Sequence, residues 1–217
     1  VFLILQLSSF NLKAEIVNKI DIKGNSRVSD ETVKVYGNIM DVGSNFTKKD
    51  LDQILKDLYL TNFFKEINIE IKNNTLFLEL TEYPIINQLI ISGEKSNNFK
   101  NQIKRIINLK EKDSFIENFL SEDINSIKKL YSSQGYNFTK INPKIRKIDD
   151  RSLDLVFEIE RGNITKISKI SFSGDKKLRD KRLRDIVASQ EDKFWKIITK
   201  NTKFSENLVN LDKRLLT

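Results

Sequence analysis

Apolar and polar positions alternate in Val17-x-x-Ile20-x-Ile22-x-Gly24, and the pattern returns as Ile86-x-x-Leu89-x-Ile91-x-Gly93 and as Ile167-x-x-Ile170-x-Phe172-x-Gly174. Alternation of this kind predicts a half-buried strand, and the glycine predicts the turn that ends it. The three glycines stand 69 and 81 positions apart. Such a period is the size of a small domain, so each copy is long enough to own a core.

Helical spacing follows each glycine. The second copy places Phe99, Ile103, Ile106 and Ile107 at helical intervals, and the third Leu183, Ile186 and Val187; in the first, Ser29 with Asp30 and Glu31 predicts a helix start. A second helix is predicted in every copy from the stripes Leu51, Ile54, Leu55, Leu58, then Ile124, Ile127, Tyr131, then Leu208, Leu211, Leu215. Leu58-Tyr59 before Phe63-Phe64 matches Leu130-Tyr131 before Gly135-Tyr136. Two alternating strands come next, through Ile67, Ile69, Ile71 and Leu76, Leu78, Leu80, and through Ile141, Ile145 and Leu153, Leu155, Phe157, Ile159. Lys72–Thr75 and Lys147–Arg151 supply turn-forming residues between them. The third copy reaches Thr217 inside its second helix, so it is expected to be incomplete.

The expected fold class is therefore α+β, with tandem β-α-α-β-β modules, each a three-stranded mixed sheet covered by two helices. The expected divisions are 15–84, 85–162 and 163–217, with short joints at Glu82-Tyr83-Pro84 and Arg161-Gly162-Asn163.

The N-terminal end changes the picture next. Residues 1–14 open on an apolar run of about ten residues, too short for a membrane span but the right length for the apolar core of a secretory signal. Ala14 is the expected last residue before cleavage, although Leu12 stands where a small residue is usual; a buried N-terminal strand is the other reading of the run. The sole methionine is Met40, so the chain carries no initiator. Export would place the rest outside the cytoplasm.

Composition then narrows the chemistry. Without His or Cys the chain lacks the usual general bases, thiol nucleophiles, transition-metal ligands and disulfides. Asp149-Asp150 is the most tempting carboxylate pair, but its place between two strands predicts a solvated turn. No glycine-rich phosphate loop is present, and neither catalytic residue, cofactor nor metal is expected. The net charge of +8 is uneven: residues 15–84 carry −3, residues 85–162 carry +3, and residues 163–217 carry +7. Between 166 and 184 there are eight basic and two acidic side chains. Lys177, Arg179, Lys181, Arg182 and Arg184 form a candidate partner surface there, joined by Trp195 as an interface anchor. A solvated helix face and a packed tryptophan are the ordinary alternatives. Nucleic-acid binding is the competing reading of the basic cluster, but the strands lack the paired exposed aromatics of an RNA-binding sheet.

Three strand–Gly copies in register, each with two helices after it and the first two closed by a hairpin, resemble POTRA domains. The most specific stretch runs from Gly174-Asp-Lys-Lys-Leu-Arg-Asp-Lys-Arg-Leu-Arg-Asp-Ile-Val to Phe194-Trp195-Lys196. It is similar to the third POTRA of alphaproteobacterial members of the BamA family of outer-membrane assembly factors. The resemblance implies a non-enzymatic periplasmic arm ahead of a C-terminal outer-membrane barrel. Its partners would be unfolded outer-membrane proteins and accessory lipoproteins, with no nucleic acid and no cofactor. A TamA-like translocation protein shares this kind of arm.

A three-stranded sheet has two edges, and an edge offers main-chain N–H and C=O groups to an added strand. The segment Ile141-Asn142-Pro143-Lys144-Ile145-Arg146-Lys147 is the candidate client edge. Pro143 suits an edge because proline has no ladder donor. Ile141 and Ile145 are expected to face the helices. An ordinary protected edge with no client is the alternative; the resemblance favours client binding.

Overall fold

The computed structural model describes residues 15–39, 42–174, 178–193 and 202–217. The chain divides after Pro84 into two compact units, Val1–Pro84 and Ile85–Thr217. The signal-like residues 1–14, together with Lys177, Phe194, Trp195 and Lys196, lie outside the described residues.

The first unit runs β1 (Glu15–Ile16), β2 (Lys19–Lys23), α1 (Asp30–Tyr36), β3 (Asn45–Phe46), α2 (Lys48–Leu60), β4 (Phe64–Lys72) and β5 (Thr75–Glu82). Its main sheet has the order β2-β5-β4, with β2 parallel and β4 antiparallel to β5. Asn73 and Asn74 both take positive φ, 49° and 57°, which lets a two-residue turn join β4 to β5. Ser29 caps α1 by accepting the Thr32 N–H. Thr47 and Asp50 form a reciprocal capping box on α2. Ile54 and Leu58 of α2 pack with Leu76, Leu78 and Leu80 of β5, because helical and strand periodicity turn these residues to one side. The expected β-α-α-β-β pattern did not include the short β1–β3 pair; two-residue strands are too brief to show a period.

The second unit begins β6 (Ile85–Ser92), α3 (Asn97–Ile106), α4 (Glu117–Ser133), β7 (Lys140–Lys147) and β8 (Ser152–Glu160), and its sheet order β6-β8-β7 repeats the mixed topology. Ile103 of α3 and Ile127 and Tyr131 of α4 bury against Leu153, Leu155, Phe157 and Ile159 of β8. Thus the last strand of each hairpin occupies the centre of its sheet.

That central position explains the repeated glycine. A Cβ at Gly24 would sit 1.9 Å from the Leu80 carbonyl oxygen, and one at Gly93 would sit 2.2 Å from that of Ile159. Both residues also take positive φ, 87° and 79°. Only glycine permits this approach at this dihedral without strain.

Residues 163–217 fall within the second compact unit and carry α5 (Asp180–Ile186) and α6 (Glu206–Leu216). The alternation from Ile167 to Phe172 does not become a strand. Its counterparts β2 and β6 are held by β5 and β8, and the described residues after 163 contain no such central strand. Side-chain and loop bonds hold it instead: the Ile167 N–H donates to the Thr202 carbonyl (2.8 Å), and the Ile170 N–H to Glu191 Oε1 (2.9 Å). The helix pairs share a device. Asp123 of α4 accepts the N–H groups of Asn108 (2.6 Å) and Leu109 (2.9 Å), and Asp212 of α6 accepts those of Ala188 (2.7 Å) and Ser189 (3.1 Å). Each carboxylate satisfies N–H groups of the residues just beyond the preceding helix, which have no intrahelical carbonyl to reach.

In the first two copies three expected core residues are exposed, and in the third Ile186, Leu211 and Leu215 are as well. Ile106 ends α3 on its outer side, and Tyr59 is 46% exposed. Ile145 lies on the helix-facing side of β7, opposite fully buried Leu155, yet it remains 44% exposed while Ile141 is 7% exposed. The helices cover the central strand and the first residues of β7, leaving the outer flank of β7 open. Accordingly Ile141→Ala should destabilise the unit by about 2–5 kcal/mol and Ile145→Ala by about 1 kcal/mol or less. Urea unfolding of the two variants checks this; equal losses would mean that the helices cover the whole strand.

Candidate strand-docking edge

The two edges of the β6-β8-β7 sheet differ. Beside β6, the loop before α4 supplies the missing partners. The Ile86 N–H donates to the Asp113 carbonyl (2.9 Å), the Lys112 N–H donates to the Ile86 carbonyl (2.7 Å), and Glu111 Oε1 accepts the Leu89 N–H (3.1 Å). That edge is occupied.

Strand β7 has its only described ladder on the β8 side. The Ile148 N–H donates to the Ser152 carbonyl at 3.0 Å and closes the hairpin. Hydrogen bonding alternates along an antiparallel ladder. Counting back from this bond, Arg146, Lys144, Asn142 and Lys140 turn their main-chain groups inward, opposite Asp154, Val156, Glu158 and Glu160. Lys147, Ile145, Pro143 and Ile141 turn theirs outward. Pro143 therefore sits where its missing N–H costs no internal bond. An outward donor can be removed at Ile145 or Lys147, whereas Lys144 and Arg146 turn theirs toward β8. From Asn142 to Lys147 every residue of β7 is exposed.

In the first unit, the hairpin turn likewise directs the N–H groups of Ile67, Ile69 and Ile71 outward along β4. Tyr59 covers one of them: its hydroxyl accepts the Ile67 N–H at 3.2 Å.

The basic cluster is only partly a surface. Arg179, Lys181 and Arg182 are exposed around α5. Arg184 is tied inward by Glu191 Oε1 (2.9 Å) and the Ile170 carbonyl (3.0 Å), so it braces its own fold. Asp149 accepts the Arg151 N–H (2.8 Å) and the Ser152 hydroxyl (2.9 Å) in the turn between β7 and β8. Among the described residues no group of three or more acidic side chains is placed to hold a metal ion.

Residues 84–162 match the POTRA family model, described as "Surface antigen variable number repeat". The chain is 26% identical over 217 residues to the outer membrane protein assembly factor BamA of Neisseria meningitidis serogroup B, covering 99% of this chain and 27% of that protein. It is 26% identical over 213 residues to BamA of Neorickettsia risticii, covering 98% and 28%. The chain spans about a quarter of the length of these curated relatives. Among solved structures, Haemophilus influenzae BamA POTRA3-5 is 20% identical with a TM-score of 0.43, over 94% of this chain and 85% of that one.

Within the POTRA-like stretch 84–162 the periodicity gave no sign of a buried carboxylate and its polar partners. Glu94 follows the β6 glycine and is 4% exposed. It accepts the Tyr131 hydroxyl (2.5 Å) and the Ser96 N–H (2.7 Å), with Arg161 Nη1 at 3.8 Å. Arg161 also lies over the Tyr136 ring at 4.8 Å, and Tyr131 stacks on Phe99 at 4.9 Å. Burial pushes the Glu94 carboxyl up, but the Tyr131 and Ser96 hydrogen bonds and the Arg161 charge outweigh it and hold the group below its ordinary value. The first unit has Asn25 at this place and buried Leu58 at the helix position of Tyr131, three residues before the cap; Tyr59, one residue further on, turns to β4. Glutamate after the strand glycine, paired with the Leu-Tyr signature, was the readable clue.

Glu94→Gln should therefore lower stability at about pH 7 by roughly 1–3 kcal/mol. Folding lowers this pKa, so the charge contributes fully above the unfolded value of 4.5 and progressively less as pH falls through the folded one. Thermal unfolding of wild type and variant from about pH 7 down to about pH 3 should show the gap closing toward acid. A gap independent of pH would assign the loss to packing.

Proposed function

We propose that this chain is the periplasmic POTRA arm of an outer-membrane β-barrel assembly factor, working without catalysis and holding unfolded outer-membrane proteins by strand addition. The array comprises modules at 15–84, 85–162 and 163–217, and a C-terminal barrel outside this sequence anchors it in the outer membrane. Accessory lipoproteins of the assembly complex are its other partners, met by the exposed basic residues around α5. The names and lengths of the curated relatives support the setting. The described helices are not long and apolar enough to cross a membrane, which suits an arm carried outside it.

The observation that carries the mechanism is the contrast between the two sheet edges of the second unit. Edge β6 is already paired by its own loop, whereas β7 directs the main-chain groups of Ile141, Ile145 and Lys147 outward. Backbone pairing suits a holder of many β-rich segments because it asks little of the client's side chains.

The test uses the full chain with a photo-crosslinkable extended peptide from an outer-membrane barrel strand. Ile145→Pro removes an outward donor and should abolish most crosslinking with little change in Tm. Lys144→Pro removes a donor to β8 and should cost roughly 1–3 kcal/mol of stability. Unchanged crosslinking by a folded Ile145→Pro chain would sink the edge mechanism.

A further inference from the structure

The same edge has a charge pattern that backbone pairing alone does not require. Residues 140–147 contain Lys140, Lys144, Arg146 and Lys147 and no acidic side chain. The register sorts them by face. Ile141, Pro143, Ile145 and Lys147 lie opposite buried Ile159, Phe157, Leu155 and Leu153, on the side the helices cover. Lys140, Asn142, Lys144 and Arg146 lie opposite Glu160, Glu158, Val156 and Asp154, on the bare side.

On that bare side the acids are inward and the bases outward. Glu158 pairs with Lys144 at 2.6 Å, and Asp154 accepts the Asn87 amide at 3.0 Å. Lys140 and Arg146 make no ion pair among the described residues and are exposed. A strand added outside β7 would lie about 4.8 Å away, with side chains directly opposite this basic row.

We propose that the β7 edge selects amphipathic extended segments, acidic at alternate positions facing Lys140, Lys144 and Arg146 and apolar at those facing Ile141, Pro143 and Ile145. The proposal rests on the edge-docking reading and adds side-chain selectivity to it. Opposite charges directly across a strand pair are favourable and like charges unfavourable. The same row guards against self-association: two copies of β7 paired antiparallel about Pro143 would set Lys140 against Arg146. Basic residues at a sheet edge are an established means of blocking such pairing. An acidic strand turns that barrier into attraction.

Three labelled peptides separate the possibilities. Each alternates valine with a second residue, which is Glu, Ser or Lys, and Kd for the full chain is measured by fluorescence anisotropy at low and at physiological salt. The Glu peptide should bind about tenfold more tightly than the Ser peptide at low salt, and the Lys peptide most weakly. The spread should narrow as salt screens these exposed charges. Lys140→Ser with Arg146→Ser should cut the Glu-over-Ser preference severalfold, the Glu peptide losing far more affinity than the Ser peptide. Equal affinities for all three peptides would overturn the selectivity and leave edge docking intact. Tight Glu-peptide binding that survives Ile145→Pro would place the attraction elsewhere on the basic surface and overturn the proposal. Failure of all three peptides to bind would remove the docking reading and this inference together.

Discussion

Each three-stranded sheet depends on one constraint: its central strand is the last of that sheet to occur in the chain. β5 and β8 carry a parallel partner on one side and an antiparallel hairpin partner on the other. They also supply the carbonyls that pass over Gly24 and Gly93 so closely that a side chain there would collide. Their buried rows, such as Leu153, Leu155, Phe157 and Ile159, belong to the same core as the inner faces of the helices. A first strand without a later central strand has no ladder to join. Residues 167–172 show this consequence, held by loop and carboxylate contacts although their pattern matches that of β2 and β6.

The same topology makes the two edges unequal. The parallel edge strand β6 lies beside the connection between the helices, and that connection folds against it with Glu111, Lys112 and Asp113. A matching arrangement recurs with Glu191 and Asp192 against Ile170 and Ile167. Among the described residues the antiparallel edge strand β7 has no such neighbour, because its connection to β8 is a short hairpin that turns back on itself. An open edge is an aggregation hazard unless something discourages pairing. Proline at an outward position and a row of basic side chains provide that discouragement, and both still permit a complementary strand to pair.

Polar groups inside the protein set its geometry as much as apolar packing does. Asp123 and Asp212 each tie a second helix to the backbone that leaves the first. Glu94 gathers the end of β6, the start of α3, the end of α4 and the exit from β8 through Ser96, Tyr131 and Arg161. Each carboxylate is satisfied by several donors, which is what makes a buried acid tolerable. Where Asn25 stands in place of the glutamate, apolar Leu58 fills the position of Tyr131, so no buried hydroxyl needs an acceptor there.

Periodicity by itself determined the α+β class, the order of strands and helices in the first two copies, and most of their core. Local spacing records which side of a helix or strand is apolar, and each module's core is built from those sides. The sequence also marked β7 as an edge through Pro143. Tertiary structure decided what spacing cannot express. Ile145 has the spacing of a core residue but stands on a flank the helices do not reach, and Arg184 belongs to a basic run yet is spent on Glu191 and the Ile170 carbonyl. The outward donors of β7 follow from the register set at Ile148 and Ser152; a shift of one residue would exchange them. The strand pattern at 167–172 was legible, but a strand is a pairing between segments, and its alternation cannot supply the partner.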